Sequence, residues 1–323
     1  MRGNLTSIVV QIVTYNSAAD IGTCLDSVFA QTYPIQQIIV IDNNSKDNTE
    51  EIVTLYPQVY FIKNSVNNGF VGGHNQAISY ANTDYVLVLN PDVVLEPTYV
   101  ERIMECIIQK MNVGAATGKL YRDMESRIMD STGININKNR RAVDRGAGEI
   151  DHGQYDKDMS VFGVSGAAAI YKRAMIDSIS NEGQFFDESF FAYKEDVDVS
   201  WRARLAGWEI CFVPEAIAQH ERGWKDNNSR KNISLKTRKH SYINRHFYIL
   251  KNDKLSYFLL HLPIICTYEL ACLLYMVIKE PRLISAYQLF FKEYKALKMK
   301  RRWIQTNSKV PSKQIYEYFK GIW

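Results

Sequence analysis

The sequence predicts an α/β protein with a mainly parallel, mixed central sheet flanked by helices and a helical C-terminal extension. Three observations predict it. Short apolar runs alternate with helix-period segments over the first 90 residues, polar clusters follow these runs, and the charge divides unevenly along the chain. Strands alternating with helices imply βαβ units with right-handed crossovers. At 323 residues, with 46% hydrophobic and 23% charged, the composition excludes a disordered or collagen-like chain and suits one large or two ordinary domains.

Ile8–Val13, interrupted only by Gln11, reads as a buried strand. Ile21, Cys24, Leu25, Val28 and Phe29 then repeat at i, i+3, i+4, i+7, i+8, one apolar face of a helix that Pro34 closes. Ile38–Ile41 is a second strand. Asp47-Asn48-Thr49-Glu50 reads as a capping box, with Asp47 accepting backbone N–H groups and Glu50 reaching back. Val59–Ile62 is a third strand, His74–Ala81 a helix and Tyr85–Leu89 a fourth strand. A helix follows Pro97 to about Met111. Residues 122–160, without periodicity and rich in Asp, Arg, Asn and Gly, read as a long loop over one face of the sheet. Gly166–Tyr171 is strand-like, and Asp196–Ala206 is a helix that Gly207 ends.

The five cysteines are scattered without a CxxC pair, so neither a disulfide framework nor a structural zinc site is expected. Residues 1–15 do not resemble a secretory signal, and a reducing, cytoplasmic setting is the expectation. Residues 221–323 hold 21 Lys and Arg against 7 Asp and Glu, leaving 18 against 28 for residues 1–220, so an acidic body of −10 precedes a basic tail of +14. Such a tail suits an anionic surface, membrane phosphates or nucleic acid. Tyr257–Ile278 is nearly long enough to span a bilayer, but Glu269 near its centre favours an in-plane or core helix. Leu283, Tyr287, Phe290, Tyr294 and Leu297 form an apolar stripe, with Lys292, Lys295, Lys298 and Arg302 off it, the pattern of an interfacial amphipathic helix.

In a parallel α/β sheet, ligands bind beyond the carboxyl ends of the strands. Thr14-Tyr15-Asn16, Asp42-Asn43-Asn44-Ser45 and Asn90-Pro91-Asp92 all fall there, and three polar clusters on one rim point to a polar ligand. Asp92, between apolar neighbours, suits a hard divalent ion such as Mg²⁺ or Mn²⁺, and His220, after a strand-like run, could complete its shell. Glu195, Asp196 and Asp198 open a helix behind Phe185, Phe186, Phe190, Phe191 and Tyr193. Crowded carboxylates in an apolar surround raise one another's pKa, which suits a general base. Glu195, Asp198 and Arg202 share a helix face, so Arg202 pairing with Asp198 or Glu195 would leave Asp196 facing elsewhere.

Val13-Thr14-Tyr15-Asn16, Ile41-Asp42-Asn43-Asn44-Ser45, Asn67-Asn68-Gly69-Phe70, Asn90-Pro91-Asp92 and Lys194-Glu195-Asp196-Val197-Asp198 occur in this order. Together, over about residues 5–250, they resemble glycosyltransferase family 2, in particular the rhamnosyltransferases of bacterial cell-surface polysaccharide assembly. The resemblance implies a GT-A domain over residues 1–250, with the donor site in about 1–120 and the acceptor and catalytic part in about 120–250. Residues 251–323 would form a membrane-associating region. It implies an inverting transfer from a nucleotide sugar, dTDP-L-rhamnose first among candidates, to a polyprenyl-diphosphate-linked or polysaccharide acceptor. The enzyme would sit peripherally on the cytoplasmic face of the membrane. Thr14, Tyr15 and Asn16 would line the nucleotide pocket, with Asp42 on the pyrimidine and Asn44 nearby. Asn68, Gly69 and Phe70 would lie against ribose and diphosphate. Asp92 is the last acid of a DxD motif whose first acid is here Asn90, one charge fewer on the ion. Asp196 would be the base and His220 a metal ligand. Glu195, Trp201 and Arg202 would face the acceptor, and Arg238, His240 and Arg245 its diphosphate. Two other classes compete. A sugar nucleotidyltransferase would carry a Gly-rich, basic triphosphate loop, which Thr14–Ile21 does not. A nucleic-acid-binding module would carry a recognisable motif and not an acidic body.

Overall fold

The computed structural model describes residues 6–220 and 234–322. The elements run β1 (Ile8–Thr14), α1 (Ile21–Phe29), β2 (Gln37–Asp42), α2 (Thr49–Val53), β3 (Val59–Lys63), α3 (Gly69–Tyr80), β4 (Tyr85–Leu89), β5 (Val93–Leu95) and α4 (Tyr99–Ile108). They continue with β6 (Val113–Asp123), β7 (Ile128–Ser131), β8 (Ile134–Ile136), β9 (Ala142–Asp144), β10 (Ala168–Lys172), α5 (Arg173–Ile179), α6 (Glu195–Leu205) and β11 (Glu209–His220). The last helices are α7 (Leu235–Asn252), α8 (Leu255–Leu260), α9 (Leu262–Lys279), α10 (Tyr287–Thr306) and α11 (Ser312–Tyr316).

The main sheet has the order β3-β2-β1-β4-β10-β6-β11-β5, with β7 on β6. β1 to β4 pair in parallel, as their apolar runs imply. β10 then runs antiparallel between β4 and β6, and β11 lies parallel to β6, so the second half is mixed. The chain order reverses between β1 and β4, which places a ligand crevice at their carboxyl ends. Side chains alternate along each strand between two cores. Ile8, Val10, Ile12, Leu87 and Leu89 pack under α1 and α4. Val9, Ile39, Val86 and Val88 pack on the opposite face with α5, α6 and α7. Each layer buries one stripe of helix against one face of sheet, and that burial is the main source of stability.

Residues 122–160 are not one loop. β6 runs into them, and β7, β8 and β9 follow, three or four residues each and too short to show a period in sequence. α3 begins at Gly69, five residues before the expected start, so Gly69 and Phe70 form a helix N-terminus. The capping box is half formed. Asp47 accepts from the Thr49 amide and hydroxyl and from the Ala18 amide, but Glu50 pairs with Lys63 rather than reaching back.

Apart from the exposed Tyr294, the stripe on and just before α10 is a packing face, which corrects its reading as membrane-facing. Leu283 and Leu297 are buried, Tyr287 shares a 2.8 Å hydrogen bond with Tyr242 of α7, and Phe290 lies against Phe247. The larger exposed apolar surface is on α8 and α9, where Leu259, Leu260, Leu270, Leu273, Leu274, Val277 and Ile278 all face outward, while α10 exposes Phe291, Tyr294 and Met299. α9 is not a core helix. Among the described residues it is the one helix long and apolar enough to cross a membrane by length and composition, and it is little buried. Glu269 faces α7, where it pairs with Arg245 and lies 3.2 Å from His246 Nε2. The chain then returns to the body, and Ile304, Ile315 and Phe319 enter the core around Trp201.

Candidate active site

The loop after β1 and the loop after β2 are knitted together. Asp42 is fully buried; it accepts from Thr14 Oγ1 at 2.9 Å, from the Ser45 amide at 2.9 Å and from the Ser45 hydroxyl. Asn16 and Asn44 both take left-handed backbone angles, which Asn tolerates better than most residues. The Asn16 amide donates to Ser45 Oγ at 2.8 Å, and Asn44 Nδ2 donates to the Ser65 carbonyl at 2.8 Å. Tyr15 stays 53% exposed, a free ring at the rim. Asn43, which sequence reasoning quoted but gave no role, is buried and donates to the Gly69 carbonyl at 2.8 Å, fixing the start of α3. Asn68 caps that helix by position without a side-chain cap bond. Gly69 has φ +75°, and a Cβ there would meet the Phe191 carbonyl at 2.4 Å, so only glycine fits.

Beyond β4, β10 and β11 opens a cleft of about 530 Å³. Phe70, Asn90, Asp92, Glu195, Asp196 and His220 line it, six of the residues singled out by sequence. Gly166, a small residue that leaves room for an acceptor to approach, and Lys194 of the quoted motif also line it, and so do Asp144, Ser165 and Ser241, which were missed.

At one end, His220 Nε2 lies 3.4 Å from Asp92 Oδ1 and its Nδ1 lies 2.8 Å from Asp130 Oδ2. Burial alone would pull the imidazole down, but its bonds to Asp130 and Asp92 outweigh that and raise it to about 9. The two acids that favour a proton there favour any cation. Asp92 Oδ1 is buried and, apart from the His220 ring nitrogen at 3.4 Å, has no polar partner. An orphaned carboxylate oxygen facing a ring nitrogen fits part of a divalent-ion shell. Among the described residues no group of three or more His, Cys, Asp or Glu side chains is placed to hold a metal ion, so Asp92 and His220 would need further ligands from substrate and water. Asp130 is fully buried and orients the imidazole, the role a carboxylate plays behind a ligating histidine. It lay unseen in the stretch read as loop.

At the other end, α6 presents Glu195 and Asp196 from its first turn. Burial raises the Asp196 carboxyl, and nearby Asp144 adds to that. Lys194 and the amides of Gly166 (3.2 Å) and Val197 (2.8 Å) hold it down, and the balance lies above the ordinary value. Glu195 is raised further, to about 8, by burial and by Asp196. Asp198 turns away, as the helix geometry implied: Arg202 Nε, Lys251 Nζ and Asn252 Nδ2 donate to it at 2.8, 2.9 and 2.8 Å. The loop into α6 is strained, because Phe191, Tyr193 and Lys194 all have positive φ. Asn244 of α7 clamps it, with Nδ2 reaching the carbonyls of Phe190, Ala192 and Tyr193 at 2.9, 2.9 and 2.7 Å. No sequence motif announced that asparagine.

Several expected acceptor contacts are corrected. Trp201 is fully buried among Phe162, Tyr248 and Phe319, facing the core and not the cleft. Arg202 spends its guanidinium on Asp198 and on the carbonyls of Ile179 and Phe185. Arg238 is paired with Glu280, and His240 lies against the Phe191 ring; neither lines the cleft. Arg245 pairs with Glu269 and lines a second cleft beside the first.

With this geometry in view, the comparisons with known proteins decide the family. Residues 9–180, more than half of the chain, match the family described as Glycosyl transferase family 2. The chain belongs to glycosyltransferase family 2. Relatives include the poly-beta-1,6-N-acetyl-D-glucosamine synthase of Staphylococcus epidermidis, 25% identical over 220 residues, covering 64% of this chain and 48% of the relative. The chain therefore spans about half the length of that synthase. The N-acetylglucosaminyl-diphospho-decaprenol L-rhamnosyltransferase of Mycobacterium tuberculosis is 24% identical over 241 residues, covering 66% of this chain and 75% of the relative. Among solved structures, the mannosyltransferase PcManGT of Pyrobaculum calidifontis, in complex with GDP-Man and Mn²⁺, aligns at TM-score 0.53 and 14% identity, over 94% of this chain and 86% of that one. GalNAc-T7 with UDP, GalNAc and Mn²⁺ aligns at TM-score 0.56 and 14% identity, over 79% and 53%. The fold is accordingly the GT-A arrangement of a glycosyltransferase, with C-terminal helices.

Proposed function

We propose that the chain transfers a sugar from a nucleotide donor to an acceptor hydroxyl with inversion, L-rhamnose from dTDP-β-L-rhamnose being the first candidate. The acceptor would be a lipid-linked sugar or a polysaccharide at the cytoplasmic membrane face. The observation that carries this reading is one cleft holding a raised carboxyl, Asp196, and a cation-favouring pair, Asp92 and His220. The nucleotide would rest near Thr14, Tyr15, Asn16, Asp42 and Asn44, with Asn68, Gly69, Phe70 and Asn90 toward the diphosphate. Asp196 accepts the proton of the acceptor hydroxyl, a transfer its raised affinity favours. The hydroxyl oxygen bonds the anomeric carbon, the bond to the diphosphate oxygen breaks, and the diphosphate departs with the electron pair. Asp92 and His220 would hold a divalent ion such as Mg²⁺ or Mn²⁺, which would supply neutralising charge to that diphosphate. Attack opposite to departure needs no covalent enzyme intermediate and inverts the centre.

The rhamnose donor is supported by the mycobacterial relative, which is named as an L-rhamnosyltransferase. The acetylglucosaminyl relative and the solved structures with UDP or GDP-mannose favour a UDP- or GDP-linked donor as the second reading. A thermal-shift panel of dTDP, UDP, GDP, CMP and ATP, with and without Mn²⁺ or Mg²⁺, separates them, because a ligand bound to the folded state raises its melting temperature. Stabilisation by dTDP with metal supports rhamnose, and stabilisation by UDP or GDP replaces the sugar. The transferase reading falls if no nucleotide stabilises the chain. Asp196→Asn should keep the nucleotide response and lose transfer by at least about a hundredfold, the scale of a missing general base.

A further inference from the structure

Asp144 lines the cleft from β9, and no step of the proposed transfer uses it. It pairs with Ile134 of β8 in a short hairpin that two arginines anchor. Arg145, the next residue, is buried. Its Nε donates to Thr132 Oγ1 at 3.0 Å, its Nη1 to the Asp158 carbonyl at 2.9 Å and its Nη2 to the Thr132 carbonyl at 3.0 Å. The guanidinium lies 4.9 Å from the ring centres of both Tyr155 and Phe212. Arg140, in the turn, is fully buried, and its Nε donates to Asp253 Oδ2 at 2.8 Å. The Tyr248 hydroxyl donates to the Arg140 carbonyl at 2.6 Å. A buried guanidinium is costly unless its donors are met, and here they are met on both sides of Asp144. The hairpin therefore holds Asp144 in one place at the cleft.

Asp144 and Asp196 line the same cleft, close enough that the Asp144 charge adds to burial in raising the Asp196 carboxyl. Lys194 offsets the two acids only in part, since Asp196 stays above its ordinary value. Two such acids repel an anion between them and accept hydrogen bonds from a neutral donor. Arg141, Ala142 and Val143, which precede Asp144, wall the adjoining cleft of α7 and α9. That wall includes no residue from the loops after β1 and β2, where the nucleotide would rest. Asp144 thus stands on the acceptor's side of Asp196.

We propose that Asp144 determines which acceptor sugar the cleft takes: its carboxylate accepts a hydrogen bond from a second hydroxyl of that sugar, while Asp196 takes the proton of the attacking one. The inference rests on the transferase reading and adds a specificity-determining residue to it. The group recognised at this end is a neutral ring with two hydroxyls within reach of two acids. A hydroxyl bonded to an ionised carboxylate gains more than a neutral pair does, and removing either partner forfeits that gain. A site built for that hydroxyl therefore rejects the sugar that lacks it. Asp144 touches no reacting atom, and its charge acts on the transfer only through Asp196.

The test uses the full chain and the nucleotide sugar whose nucleotide raises the melting temperature. Methyl glycosides of glucose, galactose, mannose and N-acetylglucosamine, with their monodeoxy derivatives, are the acceptor probes. Release of nucleoside diphosphate above the rate with water alone is the readout. The wild type should use one glycoside and lose at least about tenfold in kcat/KM with one derivative that remains a substrate. Asp144→Ala should cost the parent glycoside as much and that derivative almost nothing, so that the discrimination vanishes while the nucleotide response is unchanged. Discrimination that persists in Asp144→Ala overturns the proposal, because a merely structural role weakens both sugars alike. A wild type that binds nucleotide but uses none of the glycosides, or tells none from its derivatives, overturns it without any variant. Asp144→Asn keeps the size and an accepting oxygen and removes the charge. It should retain part of the discrimination and move the acid limb of the kcat/KM profile to lower pH, because Asp196 loses a negative neighbour. Lys194, Glu195, Tyr171 and Tyr248 also face Asp196 and stay in place in that variant. An unmoved limb contradicts the placement of Asp144 beside Asp196. In each case a retained nucleotide response leaves the transferase reading standing, whereas a wild-type chain that no nucleotide stabilises sinks that reading instead.

Discussion

Glu195 holds a carboxyl in the cleft with Oε2 buried and meeting no donor. Burial and the neighbouring Asp196 raise it from the ordinary 4.5 to about 8. Within that window the folded protein keeps a proton that the unfolded chain has released. More protons bound in the native state means that stability falls as pH rises through the window. Glu195→Gln removes the titration and keeps the shape. Calorimetric melting from about pH 5 to about pH 8 should therefore show the variant gaining on the wild type as pH rises. A constant difference across that range would mean that Glu195 is already ionised when folded. Burial, which makes Glu195 costly, raises Asp196 as well, with Asp144 adding to it, so on the proposed role of Asp196 a destabilised corner of the fold would be the source of its chemistry.

Two elements, α6 and α7, hold the site together, and the loop between Phe190 and Lys194 is where they meet. The loop stores strain at three positive-φ residues, and the Asn244 clamp offsets it. Nδ2 has two hydrogens for its three carbonyls, and a neutral bond is worth about 1 kcal/mol, so Asn244→Ala should cost about 2 kcal/mol in urea unfolding. Transfer should fall more than nucleotide binding does, because the relaxed loop misplaces Lys194 and Asp196. Unaltered kinetics beside a lower midpoint would reduce the clamp to a structural part. Neither helix announced this in sequence. β1, β2 and β4 were legible because strands buried on both faces must be nearly continuous apolar runs. Asp92, Asp196 and His220 were legible because polar residues at strand ends and helix starts stand out against those runs. β7 to β9 were hidden because they are only three or four residues long, and the turn between β8 and β9 buries polar groups paired far along the chain. Fully buried Arg140, for example, meets Asp253, 113 residues on. A buried charge is affordable only with such a partner, and local periodicity cannot show one. Trp201 and Arg202 misled for the converse reason: a polar and an aromatic residue beside the acids look like site residues until their core partners are seen.

Over the whole molecule, charge and apolar surface are arranged together. The acidic body carries the cleft, and the basic tail supplies α7 to α11, with the larger exposed apolar face on α8 and α9. α9 measures about 27 Å at 1.5 Å per residue, a little short of the roughly 30 Å hydrocarbon core. Its Glu269 is engaged with Arg245 of α7, which ties the helix sideways to the body. A helix held along the body with one apolar face outward suits the plane of the interface, where binding grows with the apolar area buried. The sequence pattern pointed instead to the stripe on α10, and the two assignments predict opposite outcomes. Leu273→Glu with Leu274→Glu, at side chains 42% and 52% exposed, should leave the melting temperature nearly unchanged and abolish sedimentation with anionic vesicles. Tyr287→Ala, which cuts a contact between α10 and α7, should lower the melting temperature and leave sedimentation intact. If the first variant still sedimented and the second did not, the α10 stripe would be the membrane face and the packing seen here would have to open on binding. Raising salt should weaken the wild-type interaction without removing it, because the tail's charge is screened within about 10 Å at 0.1 M while apolar burial is not.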